Sequence, residues 1–156
     1  MTAPPDFHVV LVNPEIPPNT GTTARLCAAT DTRLHLVGPL GFSLEDRYLR
    51  RAGLDYWPHV DLEVHADWQA FRERHRAARL RLFSARAERS YTSARYQRGD
   101  FLVFGAETHG LPAKLLAEHG EHTYVIPMSG RGVRSLNLAN SAAIVLYEAL
   151  RQIGQA

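Results

Sequence analysis

Phe101-Leu102-Val103-Phe104-Gly105-Ala106-Glu107-Thr108-His109-Gly110-Leu111-Pro112 passes from an unbroken apolar run into a loop with glycines five apart, then into a helical pattern opened by a proline. This is a strand, a loop and a helix in one stretch. Five further β-rich runs accompany it, at 7–12, 33–37, 59–64, 80–85 and 122–126, the quoted strand itself covering 101–105. Helical spacing or caps mark segments near 20–30, 45–52, 67–79, 112–119 and 138–153; in the last, Leu138, Ala142, Val145, Leu146 and Ala149 share one face. Such alternation predicts an α/β fold, a mainly parallel sheet with helices on both faces. The 156 residues suit a single domain spanning 1–156, and no repeat, low-complexity tract or linker divides them. Residues 1–6 are expected to be disordered.

Composition sets outer bounds. The 45% hydrophobic and 22% charged residues are ordinary for a globular chain, and no apolar run approaches the ~18 residues of a membrane span. No basic stretch followed by an apolar one opens the sequence, so a soluble, cytoplasmic protein without a membrane partner is expected. One cysteine, Cys27, excludes an internal disulfide and a thiolate-rich zinc cage; within Leu26-Cys27-Ala28-Ala29 it reads as a small buried hydrophobe. The basic residues are seventeen arginines and Lys114, with a net charge of +2. Arginine forks match phosphate geometry, but a GC-rich genome produces the same bias, so composition permits RNA binding and no more.

Ligands of parallel sheets gather beyond the carboxyl ends of the strands, which directs attention to the loops after Val12, Gly105 and Ile126. In the first, Asn13-Pro14-Glu15-Ile16-Pro17-Pro18-Asn19-Thr20-Gly21-Thr22-Thr23-Ala24-Arg25, a helix start offers free N–H groups to a phosphate, or simply a rigid turn and a capped helix. The second is the opening segment, where the glycines permit close approach of a flat ligand and Glu107 offers an acceptor, or where a plain turn suffices. In the third, running from Ile126 to Asn140, Ser135, Asn137 and Asn140 crowd a helix entrance, more polar groups than capping alone requires. Its Gly130-x-Gly132-x-x-Ser135 fragment is not a dinucleotide fingerprint, because the residues that follow read as one helix and leave no βαβ unit. Walker, nucleophile-elbow, HExxH and zinc-deaminase signatures are absent. The eight histidines show no grouping in sequence, and His119 with His122 is read as a surface pair rather than a metal site.

Taken in order, Pro14-Glu15-Ile16-Pro17-Pro18-Asn19-Thr20-Gly21 with Arg25-Leu26-Cys27, Phe104-Gly105 with Glu107-Thr108 and Gly110-Leu111-Pro112, and Ile126-Pro127-Met128 with Ser135-Leu136-Asn137-Leu138 closely resemble the SPOUT RNA methyltransferases. The likeness extends through Leu40-Gly41-Phe42 and Leu49-Arg50-Arg51-Ala52-Gly53-Leu54-Asp55-Tyr56 to Tyr147-Glu148-Ala149, nearly the whole chain. It is greatest to the minimal single-domain members that methylate the ribose 2'-hydroxyl of the tRNA wobble nucleotide, cytidine or uridine at position 34.

The resemblance implies a C-terminal trefoil knot, a homodimer with sites drawn from both chains, S-adenosylmethionine as methyl donor with S-adenosylhomocysteine as product, no metal, and a tRNA anticodon stem-loop as partner. It implies cofactor contacts at Ala85, Gly105, Glu107, Ile126, Met128, Ser135, Leu136 and Asn140, and catalytic roles for Arg25, Ser135, Asn137 and Tyr147. Basic residues such as Arg47, Arg50 and Arg51 would meet stem phosphates, or form a solvated face. The chain departs from the pattern at Ala106, where a proline is usual, at His109, where arginine is frequent, and in a longer 129–133 loop. Methylation at another tRNA or rRNA position, or RNA binding without turnover, are the alternatives.

Overall fold

Alternate side chains of a strand leave opposite faces, so a strand buried along its whole length needs cover on both sides. His8–Val12 (β1), Leu80–Phe83 (β4) and Phe101–Phe104 (β5) are such strands, with every residue buried. With Arg33–Val37 (β2), Leu62–His65 (β3) and Thr123–Tyr124 (β6) they form a six-stranded sheet in the order β3-β2-β1-β5-β4-β6, every pairing parallel. The structure is a computed structural model and describes residues 3–53 and 56–156.

Two cores result. Val9, Leu11, Leu34, Leu36, Leu102 and Phe104 face Pro17–Ala29 (α1) and Leu138–Gln152 (α5), which contribute Ala24, Cys27, Ala142, Val145 and Leu146. Val10, Val12, Val37, Leu82, Phe101 and Val103 face Phe71 of Trp68–Arg74 (α3) and Leu115 of Ala113–Glu118 (α4). Arg47–Gly53 (α2) packs on α1. Helices therefore cover both faces, as the alternation predicts. The apolar stripe of α5 lies in the chain's own core, and the helix leaves Ile144 and Tyr147 outside.

Element ends differ from expectation for local reasons. Helix α1 begins at Pro17 rather than near Thr20, because Pro17 and Pro18 occupy the first turn, where a missing N–H costs nothing. Pro58 opens a 3-10 turn over Trp57–His59, so β3 starts only at Leu62. Helix α3, capped by Asp67 through the Ala70 N–H, stops at Arg74, five residues short of the expected end. Strand β6 is two residues long because Val125 pairs instead with the 89–91 segment: its N–H donates to Arg89 and its carbonyl accepts from Tyr91, both at 2.8 Å. At the N-terminus, Met1 and Thr2 lie outside the described residues. Asp6 is held, its carbonyl accepting from Gly99 at 2.7 Å and its carboxylate pairing with Arg98.

Candidate active site

The three motif loops, which follow β1, β5 and β6, meet the turn after β4 around a cavity of about 710 Å³, within the ordinary range for small-molecule sites. Ala85, Gly105, Glu107, Ile126, Met128, Ser135, Leu136 and Asn137 all line it. Arg25, Asn140 and Tyr147 do not. Phe83, Ser84, Arg86 and Arg134 also line it and were not singled out in sequence. Ser84 and Arg86 flank Ala85 in the turn leaving β4, and a fourth loop at a strand's carboxyl end was the available signal.

One chain of hydrogen bonds ties the loops together. Glu107 accepts from the N–H of Glu15 (2.8 Å) on Oε1, and from the N–H of Ile16 (2.7 Å) and the amide of Asn19 (3.2 Å) on Oε2. Asn137 then donates from Nδ2 to Oδ1 of Asn19 (2.9 Å), while its own Oδ1 caps α5 by accepting the Asn140 N–H (3.2 Å). In the reverse direction, Glu15 Oε1 accepts from both the N–H and the hydroxyl of Thr108, at 3.0 and 2.6 Å. Those bonds hold the Glu15 carboxyl below the usual carboxylate range, the hydroxyl contributing most.

This corrects two expectations. The N–H groups of the 13–19 loop do not await a phosphate: those of Glu15 and Ile16 reach Glu107, that of Asn19 donates to the Ile16 carbonyl at 3.1 Å, and the prolines have none. Glu107 lines the cavity, but its carboxylate anchors the first loop rather than standing open to a cationic ligand. Capping accounts for Asn137, and the exposed Asn140 enters the network through its backbone.

Gly105 owes its identity to the chain itself. A Cβ there would stand 2.1 Å from the Gly110 carbonyl carbon and 2.2 Å from the Leu111 nitrogen. The loop folds back at that point, Ala106 and Gly110 exchanging hydrogen bonds at 3.3 and 2.8 Å, with Gly110 at φ +66°. Alanine at 106 supplies an N–H to this bridge that a proline would lack.

Arg25 is exposed on α1, its guanidinium 4.6 Å from the centre of the Tyr56 ring. Tyr147, 49% exposed, is on α5, which packs against α1. Arg47 and Arg51 are exposed on α2, Arg47 lying over the Tyr48 ring; the Arg50 side chain is outside what the structure describes. His122 is exposed and shares a 2.8 Å hydrogen bond with Arg81, whereas His119 is half-buried rather than on the surface.

Four other histidines do group, against the sequence reading. On the α3 side of the sheet, His8 Nδ1 lies 2.9 Å from His35 Nε2, and His35 Nδ1 lies 3.1 Å from His65 Nε2. Glu63 Oε1 is 3.3 Å from His65 Nε2 and 2.7 Å from His75 Nε2. Burial pushes the His35 imidazole down to about 2 and that of His8 down to about 4, and also lowers His65. None of these side chains lines the cavity.

A doubly covered parallel sheet with a loop-built cavity at its carboxyl edge defines the class, an α/β domain of the kind whose ligands bind beyond the strands' carboxyl ends. Within that class, residues 6–147 match the SpoU rRNA Methylase family, and the chain belongs to it. It is 49% identical to the tRNA (cytidine(34)-2'-O)-methyltransferase of Methylovorus glucosotrophus, over 94% of this chain and 95% of that one. A solved structure described as giving insight into 2-OH methylation of C/U34 on tRNA superposes with a TM-score of 0.90 at 52% identity, covering 94% of this chain and 95% of the other. The SpoU methyltransferase AviRb from Streptomyces viridochromogenes, solved in complex with AdoMet, superposes with a TM-score of 0.83 at 25% identity, covering 97% of this chain and 62% of that one. Among the described residues no helix is long and apolar enough to cross a membrane.

Proposed function

We propose that this protein transfers a methyl group from S-adenosylmethionine to the 2'-hydroxyl of the tRNA wobble nucleotide, cytidine or uridine at position 34, the reaction named for its relatives. The observation that carries the reading is the Glu107–Asn19–Asn137 chain, which joins the three motif loops into one wall around a cofactor-sized cavity.

The residues fit the donor. Phe83, Phe104 and Leu138 give the cavity an apolar wall suited to an adenine, while Ser84, Ser135 and Arg134 offer polar groups for the ribose and amino-acid ends. Backbone at Gly105, Ile126 and Leu136 would border the base, with Ala85 and Met128 beside it. The donor's sulfonium supplies an electrophilic methyl group that requires no metal. The protein is left with alignment and proton removal.

Arg25 is suited to the RNA side of the reaction. A guanidinium holds its proton and is a poor base, so Arg25 clamps a phosphate and stabilises developing alkoxide charge, and water or a phosphate oxygen takes the proton. Its absence from its own chain's cavity supports delivery from the partner protomer of a homodimer. Ser135 and Tyr147 would position the hydroxyl. Asn137 acts one step back by holding the loops. The knot belongs to the same reading: β6 is the sheet's outer strand beyond β4, yet α5 returns to pack on β5 and α1.

A cytoplasmic tRNA anticodon stem-loop suits the site because a single-stranded loop presents a splayed ribose, with the exposed Arg47 and Arg51 available to the stem phosphates. Binding then weakens steeply with salt. Calorimetry with S-adenosylmethionine, S-adenosylhomocysteine and NAD tests the cofactor assignment: the first two bind without added metal and NAD does not. Binding of NAD alone would overturn it.

A further inference from the structure

We propose that His35, His65, His75 and Glu63 form a binding site for a divalent transition metal, best suited to Zn²⁺, on the face of the sheet opposite α1 and α5. The inference is independent of the methyl-transfer reading.

One potential ligand atom from each of His35, His65, His75 and Glu63 lies within 4.8 Å of the other three. Tetrahedral zinc with bonds of ~2.0–2.1 Å places its ligand atoms roughly 3.4 Å apart. The separations here bracket that value: 3.1 Å for His35–His65, 3.3 Å for His65–Glu63, 4.0 Å for His35–Glu63 and 2.7 Å for His75–Glu63. Three imidazoles and one carboxylate form a donor set that Zn²⁺ takes readily and that hard cations such as Mg²⁺ do not.

The surroundings prepare these ligands. His8 Nδ1 sits at hydrogen-bond distance from His35 Nε2; with the proton on Nε2, His35 keeps its Nδ1 lone pair for the cluster. His35 is fully buried, and Phe71 packs edge-on against both His35 and His65, at 5.7 and 5.1 Å between ring centres.

Without a cation the arrangement is crowded. A single carboxylate oxygen, Glu63 Oε1, has nitrogens of His75 at 2.7 Å, Arg74 at 2.8 Å and His65 at 3.3 Å around it. His65 Nε2 carries at most one proton and also faces His35 Nδ1 at 3.1 Å, so it cannot serve both acceptors. A metal relieves the crowding by drawing the imidazole nitrogens and the oxygen to itself. Arg74 is then the competitor, a charge that must leave; its side chain is 67% exposed and free to turn into solvent. The site joins β2, the edge strand β3 and the turn after α3, so bound metal fastens the sheet edge to its covering helix and contributes to folding stability.

The test uses untagged, metal-stripped full-length protein titrated with Co²⁺, followed by Zn²⁺ displacement and thermal melts. The expected result is one saturable Co²⁺ site per chain with the intense visible bands of tetrahedral coordination, displaced by Zn²⁺, together with a raised Tm. His75→Gln and Glu63→Gln, both at the accessible rim, should each weaken binding at least ~10-fold. Arg74→Gln removes only the competing surface charge and should tighten binding, which a purely hydrogen-bonded histidine network would not do. Absence of a saturable Co²⁺ spectrum, or binding unchanged in His75→Gln, overturns the proposal. Should either ligand variant fail to fold, Arg74→Gln decides: tighter binding supports the site, and unchanged or weaker binding overturns it.

Discussion

Asn137 donates a 2.9 Å hydrogen bond to Asn19 across 118 residues of sequence, and through it the entrance of the last helix is fixed to the first turn of the first. Asn137 also caps α5, so Asn137→Ala removes both a loop tie and a helix cap, and should cost about 0.5–2 kcal/mol in chemical denaturation. Asn19→Ala leaves the cap in place. Both variants should bind S-adenosylmethionine more weakly by calorimetry, and the double variant should lose less than the sum of the two. Strict additivity would mean that the asparagines do not act together.

Glu107→Gln keeps the side chain's shape but turns an amide donor toward N–H groups. Because Glu107 now accepts from Glu15, Ile16 and Asn19, the variant should lose about 1–3 kcal/mol of stability and cofactor affinity with it. A stable Glu107→Gln that binds cofactor normally would contradict the anchoring role.

Two glycines of one loop should respond differently. Gly105→Ala drives a methyl group into backbone atoms about 2 Å away and should abolish soluble expression or cofactor binding. Gly110→Ala meets nothing within 4 Å and carries only the cost of its positive φ, about 1 kcal/mol in a thermal melt.

Arg25→Ala should lower turnover by at least ~10²-fold, the scale of losing one preorganised electrostatic group, with cofactor affinity nearly unchanged. Arg25→Lys keeps the charge but not the two-pronged contact and should restore little. Single-turnover kinetics with saturating cofactor gives the comparison. A large loss of cofactor affinity in folded Arg25→Ala would place the guanidinium in the methyl-donor pocket instead.

Cys27 is fully buried, and burial pushes its thiol well above the ordinary range. In native protein it should resist a thiol reagent at pH 8 and react at once in denaturant. Rapid native labelling would contradict its place between α1 and the sheet.

The sheet was legible because Val9–Val12 and Phe101–Phe104 are apolar without a break and the 33–37 run is β-rich, the pattern of strands covered on both faces. The three cavity loops stood out through glycines, prolines and polar groups set beside those strands. What Glu107 does was hidden, because its acceptor oxygens meet backbone N–H groups 91 and 92 residues away, and N–H groups have no sequence signature. The histidine cluster was hidden for a related reason. His35, Glu63 and His65 come together only once β2 and β3 pair with His35 opposite Glu63, a register that linear spacing does not reveal. The apolar stripe of α5 was visible, but periodicity alone does not say whether a stripe faces its own sheet or a second chain.

The most direct test of the account is methyl transfer in a purified reaction. Unmodified tRNA is incubated with the protein and isotopically labelled S-adenosylmethionine, then digested, and the anticodon fragment is sequenced by mass spectrometry. A single labelled methyl is expected on the 2'-oxygen of cytidine or uridine at position 34, lost with Arg25→Ala. Label on a base or at another nucleotide, or no transfer by folded protein that binds the cofactor, would contradict it.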